Sequence, residues 1–183
     1  MEAVNVTGLA QGQAKALSQQ RSAGNIKNVV SRDQMEKFPD QNVADVLQRL
    51  PGIALESDHG EGRYVQIRGA EASLNTTTIN GVKVPSPEDV RKISLDIIPS
   101  YSLGSVEVTK AITPDMDGDA IGGHVNLITK NAFDYDVQFM EAKVAGGHRP
   151  LYGKSGSMGA FTYGNQFMDG KLGLIVSSSY EFN

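Results

Sequence analysis

The chain has 183 residues, enough for one domain with a proper core and part of a second. A hydrophobic content of 39% beside 20 glycines favours a turn-rich, sheet-containing protein over a helical bundle. The formal net charge of -4, with Lys and Arg scattered along the chain, leaves no basic field to hold nucleic acid phosphates, and the lack of cysteine removes disulfides and thiolate metal sites.

The stretch Met1 to Gln20 is polar and small, so it does not read as a secretory leader; in an exported protein the numbering would start after one. No apolar run approaches the roughly 18 residues of a membrane helix, so any span has to be built of strands. Glu2 to Gly8 is a short β-prone run that could be offered as a strand to a partner's sheet edge. Leu9 to Gly24, with few large apolar residues, is expected to be a mobile arm.

Ile26 to Val30 is expected as a first strand. Ser31 stands three residues before Gln34, the spacing of a capping box, which predicts a short helix carrying Met35 and Phe38 and ending at Pro39. The clearest helix follows. Asn42 caps it with Asp45 at the third position, and Val43, Val46, Leu47 and Leu50 form one apolar face, stopped by Pro51-Gly52. Ile53 to Leu55 starts a strand, and Ser57 to Arg63 is a polar turn rather than a dinucleotide fingerprint, because no third glycine or opening helix follows Gly60 and Gly62.

Val65 to Gly81, VQIRGAEASLNTTTING, reads as strand, loop, strand and turn, with Asn80-Gly81 as the turn signal. Val82 to Val84 is the hairpin partner, and Pro85 to Lys92 forms an exposed loop. Ile93 to Ile98 is expected to be helical up to Pro99. Val106 and Val108 belong to a strand, as does Val125 to Thr129. Gly69, Gly81, Gly122 and Gly123 fall where turns or close backbone approach need them.

Asp115, Asp117 and Asp119 have the odd-position spacing of a calcium loop. The sixth position is Ala120 and the twelfth is Asn126, however, so a turn is preferred and no metal is expected. His59, His124 and His148 are isolated from one another and no nucleophile elbow occurs, so no catalytic residue, cofactor or enzyme activity is expected.

Beyond Asn131 the pattern changes to three strand-length segments, Tyr135 to Gly146, Lys154 to Gln166 and Lys171 to Phe182. In the last, Leu172, Leu174, Val176, Tyr180 and Phe182 share one face, and Lys171, Ser177, Ser179 and Glu181 the other. An apolar exterior with a polar interior is how a membrane barrel strand is built; by pattern alone, a soluble antiparallel sheet fits equally.

Taken in order, EAVNVTG, KFPDQNVADVLQRLPGI, GEGRYVQIRG, TTTINGVKVPSPE and LDIIPSYSLGSVEVTKAITPDMDGDAIGGHVNLITK resemble the plug domain of TonB-dependent outer-membrane receptors over about residues 2 to 130. The Phe-Pro-Asp, Ser-Pro-Glu and Thr-Pro-Asp-Met-Asp pieces are similar to the receptor group of Xanthomonas- and Caulobacter-type bacteria, often linked to carbohydrate uptake. The resemblance implies an α+β fold: residues 1–24 a flexible arm, 25–132 a globular plug with a small mixed β-sheet, centred on the two strands of Val65 to Gly81, and short helices, and 133–183 the first antiparallel strands of a transmembrane barrel of about twenty-two strands.

It also implies a function, the gating of energised uptake of a scarce nutrient of the carbohydrate or ferric siderophore class. The outer membrane of a Gram-negative cell is the implied location, with the N-terminus in the periplasm. Glu2, Ala3, Val4, Asn5, Val6 and Thr7 fall where the TonB-contacting box lies, making TonB a partner. Arg68 falls on the Arg of the family's Ile-Arg-Gly motif and Glu107 on the acidic residue of its Val-Glu-Val strand, which makes them candidates for a latch to the barrel wall. Glu71, Ser73, Asn75, Ser86, Glu88 and Arg91 are candidates to face a small-molecule ligand. The alternative is a soluble periplasmic interaction or signalling module, or a receptor remnant.

Overall fold

The computed structural model describes residues 8–36, 42–58, 61–86, 91–95, 97–135, 138–149 and 154–182. It divides into two compact units, 1–129 and 130–183. No helix among the described residues is long and apolar enough to cross a membrane.

The first unit opens with a difference from expectation. Where a mobile arm was expected, Gly8–Ser22 is a helix, α1. The segment is too polar to make a core, but its Ala, Leu, Gln and Lys residues are good helix formers, and a helix needs only a narrow strip to dock. Ala16 supplies that strip at 4% exposure, while Leu17 stays exposed. The helix packs on strand β1, Lys27–Ser31, where the Gln20 side-chain amide donates to the Val29 carbonyl at 3.0 Å.

The capping box is half formed. Gln34 Oε1 accepts the Ser31 backbone N–H at 3.2 Å at the start of α2, Arg32–Glu36, but the buried Ser31 hydroxyl has no partner among the described residues. Met35 is buried; Phe38 and Pro39 lie outside the described residues. Helix α3, Val43–Gln48, begins as its sequence requires: Asn42 is extended and its side chain accepts the Asp45 N–H at 3.0 Å. Val43, Ala44, Val46 and Leu47 are buried on one face, Leu50 is partly buried, and Gly52 leaves the helix at φ +73°.

The core lies between α3 and a five-stranded sheet of order β1-β6-β7-β4-β5. Its strands are β4, Asn75–Ile79, β5, Val82–Lys83, β6, Leu103–Thr109, and β7, Gly123–Thr129, besides β1. Every pairing is antiparallel except β4 with β7. The inward residues Val106, Val108, Val125 and Leu127 meet Leu47 and Ile67 in one cluster. Complete burial of a side chain such as Leu47 contributes about 1.5–3 kcal/mol.

The two strands of Val65 to Gly81 do not share a sheet. The first lies in β3, Glu61–Ile67, which pairs with β2, Ile53–Asp58, in a separate antiparallel hairpin. Arg68 at φ +54° and Gly69 at φ +78° turn the chain away, and a 3₁₀ turn over Ala72–Leu74 returns it as β4. Both hairpin strands run further into the polar Ser57 to Arg63 stretch than expected, because β2 is an exposed or half-buried strand along its length and needs no apolar alternation.

Residues 91–95, 97 and 98 are also not helical. Leu95, 1% exposed, is held by its N–H on the Arg63 carbonyl, and the Ile98 carbonyl accepts from Val43. These long-range bonds, with Pro99 disfavouring helix at the residue before it, outcompete the local pattern. A 3₁₀ turn follows at Ser100–Ser102. The Asn80-Gly81 turn forms as expected, with φ of +50° and +80°, and Asn80 also exchanges side-chain bonds with Thr129.

The second unit begins at Lys130 with a 3₁₀ turn over Ala132–Asp134, capped by the Asn131 side chain. Three long antiparallel strands follow, β8, Phe139–Arg149, β9, Lys154–Phe167, and β10, Leu172–Phe182, in the order β10-β9-β8. Met168, Asp169 and Gly170, all at positive φ, make the last turn, close to where Asp169-Gly170 predicted it.

Candidate functional site

The segment that follows residues 87–90, which lie outside the described residues with Glu88, is tied to the β2–β3 hairpin. Lys92 Nζ donates to both Glu56 carboxylate oxygens at 2.8 and 3.1 Å. Glu56 stands opposite Tyr64 in register, and the Tyr64 ring has Lys92 Nζ at 5.0 Å and the Arg63 guanidinium at 5.3 Å from its centre. Arg63 also pairs with Asp58 at 2.8 Å and donates to Ser94 Oγ at 2.9 Å. The hydrogen bond to Glu56 raises Lys92 above the usual lysine range. The β2–β3 hairpin and the segment 92–95, distant in sequence, are therefore neighbours.

A second group ties down the aspartate loop. Lys83 Nζ bridges Asp117 and Asp119, each at 3.0 Å, and Arg91 reaches Asp119 at 3.5 Å. The backbone N–H of Asp119 and then Lys83 hold the Asp117 carboxyl below its ordinary range. The calcium-like spacing is thus used to collect a lysine and an arginine.

Of the loop residues named from sequence, Asn75 turns inward: its amide donates to the Val65 carbonyl at 2.7 Å and its Oδ1 is buried. Glu71 opens the 3₁₀ turn with its carbonyl accepting from Leu74, and its side of the loop is exposed, with Ser73 half-buried. Ser86 is half-buried and has a polar partner.

Arg68 and Glu107 differ in their surroundings. Glu107 is paired with Lys27 at 3.1 Å, across the β1–β6 edge, with its side chain 15% exposed. Arg68 is exposed and no carboxylate among the described residues reaches it; its guanidinium donates to the Lys110 carbonyl at 3.3 Å. Lys110 in turn donates to the Pro51 carbonyl. Burial and then the Arg68 charge hold Lys110 below its usual range. Lys110 was not singled out in the sequence; its position just past β6, level with the Arg68 turn, is visible only once the strands are placed.

In the second unit the register sorts residues onto two faces. Val176 lies beside Tyr163 and Met140, Ser178 beside Phe161 and Ala142, and Tyr180 beside Gly159 and Val144. On the other face Ser177 lies beside Thr162 and Glu141, and Ser179 beside Ala160 and Lys143. One face is thus predominantly apolar across all three strands, interrupted by Ser178 and Asn165, and its Met140, Val144, Val176 and Tyr180 are each more than half exposed, at 72%, 87%, 52% and 73%.

The model of the TonB-dependent receptor plug domain matches residues 19–124. The chain belongs to this family. Among curated relatives, the vitamin B12 transporter BtuB of Photobacterium profundum is 29% identical over 133 residues, covering 72% of this chain and 22% of its own. BtuB of Vibrio vulnificus is 30% identical over 105 residues, covering 56% of this chain and 17% of its own. The chain therefore spans about a fifth of the length of the curated relatives it matches. Its fold is that of the unliganded ferric citrate transporter FecA, with a TM-score of 0.72 at 20% identity over 90% of this chain and 27% of that one. The siderophore receptor PirA of Acinetobacter baumannii gives 0.70 at 20% identity, over 90% and 25%. Within the plug family, the five-stranded sheet, its flanking hairpin and the three strands after it are thus an α+β plug fold followed by leading barrel strands.

Proposed function

We propose that this chain is the N-terminal part of an outer-membrane transporter, in which unit 1 is the plug that gates energised uptake of a scarce nutrient and unit 2 is the start of the barrel. The observation that carries this reading is the exposed apolar face running across β8, β9 and β10. In water such a face is a liability, and in lipid it is the required exterior. Among the described residues β8 and β10 each pair on one side only, and unpaired strand edges demand further strands in a membrane. Plug membership and relatives named for vitamin B12, siderophore and ferric citrate transport support the nutrient class.

Glu2, Ala3, Val4, Asn5, Val6 and Thr7, outside the described residues, are proposed to meet TonB as an added strand. Arg68, together with Lys110, is proposed as the latch to carboxylates of the barrel wall, since two adjacent cations with no acidic partner among the described residues need one; Glu107 already has Lys27 and is left out of it. The nutrient is proposed to meet Glu71 and Ser73 from one loop and Ser86, Glu88 and Arg91 from another. Asn75, with its amide turned inward, serves the fold.

The reading is tested by expressing the complete reading frame and separating outer membrane from periplasm. Heat-modifiable barrel protein in the outer membrane, with uptake of cyanocobalamin, a ferric siderophore or a maltodextrin abolished by a protonophore, is the expected result. A chain that ends at Asn183 and is released as a free periplasmic protein overturns it. For the latch, Arg68→Ala with unchanged plug stability and uptake removes that role.

A further inference from the structure

The first residues of the second unit, Lys130–Tyr135, are fastened to its strands by a set of contacts that all fall on one face of the sheet. Lys130, buried with its side chain 2% exposed, pairs with Glu141 on β8 at 2.8 Å. The Gln166 side-chain amide on β9 donates to two carbonyls, Ala132 at 3.0 Å and Tyr135 at 2.7 Å. Tyr135 stacks on Phe139 with ring centres 3.7 Å apart.

Two glycines make the fit. A Cβ on Gly173 of β10 would lie 2.8 Å from Ala132 Cβ and 3.1 Å from the Phe133 ring, and a Cβ on Gly164 of β9 would fall 2.1 Å from the Phe139 ring. Neither glycine has a positive φ, so it is space and not backbone freedom that a side chain there would violate. The register places Phe139 with Gly164, Glu141 with Thr162 and Ser177, and Gly173 with Gln166. These rows are the polar face, opposite the apolar one. Asn131 completes the turn by accepting the Phe133 N–H at 3.1 Å on its side chain and the Asp134 N–H at 3.1 Å on its carbonyl.

The other end of unit 1 is held differently. Helix α1 buries Ala16, has one side-chain bond to β1 among the described residues, through Gln20, and brings Gly12 to where an added Cβ would lie 3.7 Å from the Ser31 hydroxyl. We propose that Lys130–Tyr135 is a fixed anchor: it stays docked on the polar face of β8, β9 and β10 while unit 1 opens, so that motion of the plug stops at Lys130. This rests on the receptor reading above. In it the polar face is the barrel interior, and Gln166, Glu141, Gly164 and Gly173 are the anchor's seat.

The test is hydrogen exchange on the complete receptor in detergent through a urea series, following the peptides that carry α1, 130–135 and β8 to β10. The expected result is that α1 and β1 lose protection at low urea while 130–135 stays protected with the strands. Gln166→Leu, which removes two hydrogen bonds, and Gly173→Val, which fills the space of Ala132, are each expected to lower protection of 130–135 by about tenfold or more while β8 to β10 keep theirs. Ser178→Ala, on the apolar face, is expected to change nothing. Protected strands with a 130–135 segment that opens together with α1 overturn the anchor alone, as do two variants without effect on it. Strands that open together with unit 1 overturn both the anchor and the barrel reading. Heat-modifiable mobility of each variant separates loss of the anchor from failure to fold.

Discussion

Thr78 Oγ donates its hydrogen to Asn126 Oδ1, 2.8 Å away across the parallel β4–β7 pair. The oxygen assignment at Asn126 is secured by the Gly81 N–H, which donates to the same atom at 3.0 Å. With its only hydrogen committed, Thr78 must accept from His124 Nε2, 3.0 Å away, so Nε2 of His124 carries a proton. Burial first, and then the Lys27 charge, lower the His124 pKa; Glu107 and Asp117 oppose this less strongly.

The sign of the resulting pH dependence follows. Below about pH 6.5, the ordinary histidine value, the unfolded chain takes up a proton that folded His124 refuses, so stability falls with pH and continues to fall until the lower folded value is passed. Urea midpoints of the chain are expected to drop between pH 7.5 and pH 5, and His124→Gln is expected to flatten this dependence. An unchanged slope in the variant removes the assignment.

Asn42→Ala removes the acceptor for the Asp45 N–H at the start of α3, and is expected to cost about 1 kcal/mol. Because α3 carries Val43, Val46 and Leu47 into the core, the loss should appear as a lower denaturation midpoint with unchanged slope. Asn42→Asp, which keeps an acceptor, should retain most of the stability.

At Gly123, φ is +152° and an added Cβ would lie 2.7 Å from Ile67 Cδ1 and 2.9 Å from the Thr109 carbonyl oxygen. Gly123→Ala is expected to cost about 1–3 kcal/mol by overpacking. Gly118, with nothing within 4 Å of such a Cβ, is the control, and Gly118→Ala should leave the thermal midpoint nearly unchanged.

The two faces of β10 should respond oppositely to charge in the complete receptor. Val176→Arg places a cation on the apolar face and is expected to cost about 2–4 kcal/mol near mid-membrane. Ser177→Arg, one residue on, faces the polar side. Folding yields into lipid vesicles should fall for the first and hold for the second; equal yields would count against this assignment of faces.

Much of this architecture was legible in the chain. The Asn42 cap, the α3 face, the Asn80-Gly81 turn and the alternation of Leu172 to Phe182 depend on neighbours within a few residues, and local chemistry fixes them. The ordered motifs identified the family, because a series of weak signals in fixed order is improbable by chance. Tertiary structure decided the remainder. Leu9 to Ser22 became a helix because β1 offers a surface for Ala16 and Gln20, Ile93 to Ile98 lost its helix because its backbone bonds to Arg63 and Val43, and Val65 to Ile67 left the main sheet for β2. The same holds at the sites. Lys110 beside Arg68, Lys92 on Glu56, and Gln166 on the Ala132 and Tyr135 carbonyls join residues more than thirty positions apart, and no local pattern encodes such a pair. Sequence alone determines where the chain turns and which face of each element is apolar; only the packed fold selects which distant backbone and charged groups meet, since their bonds form after the elements have been brought together.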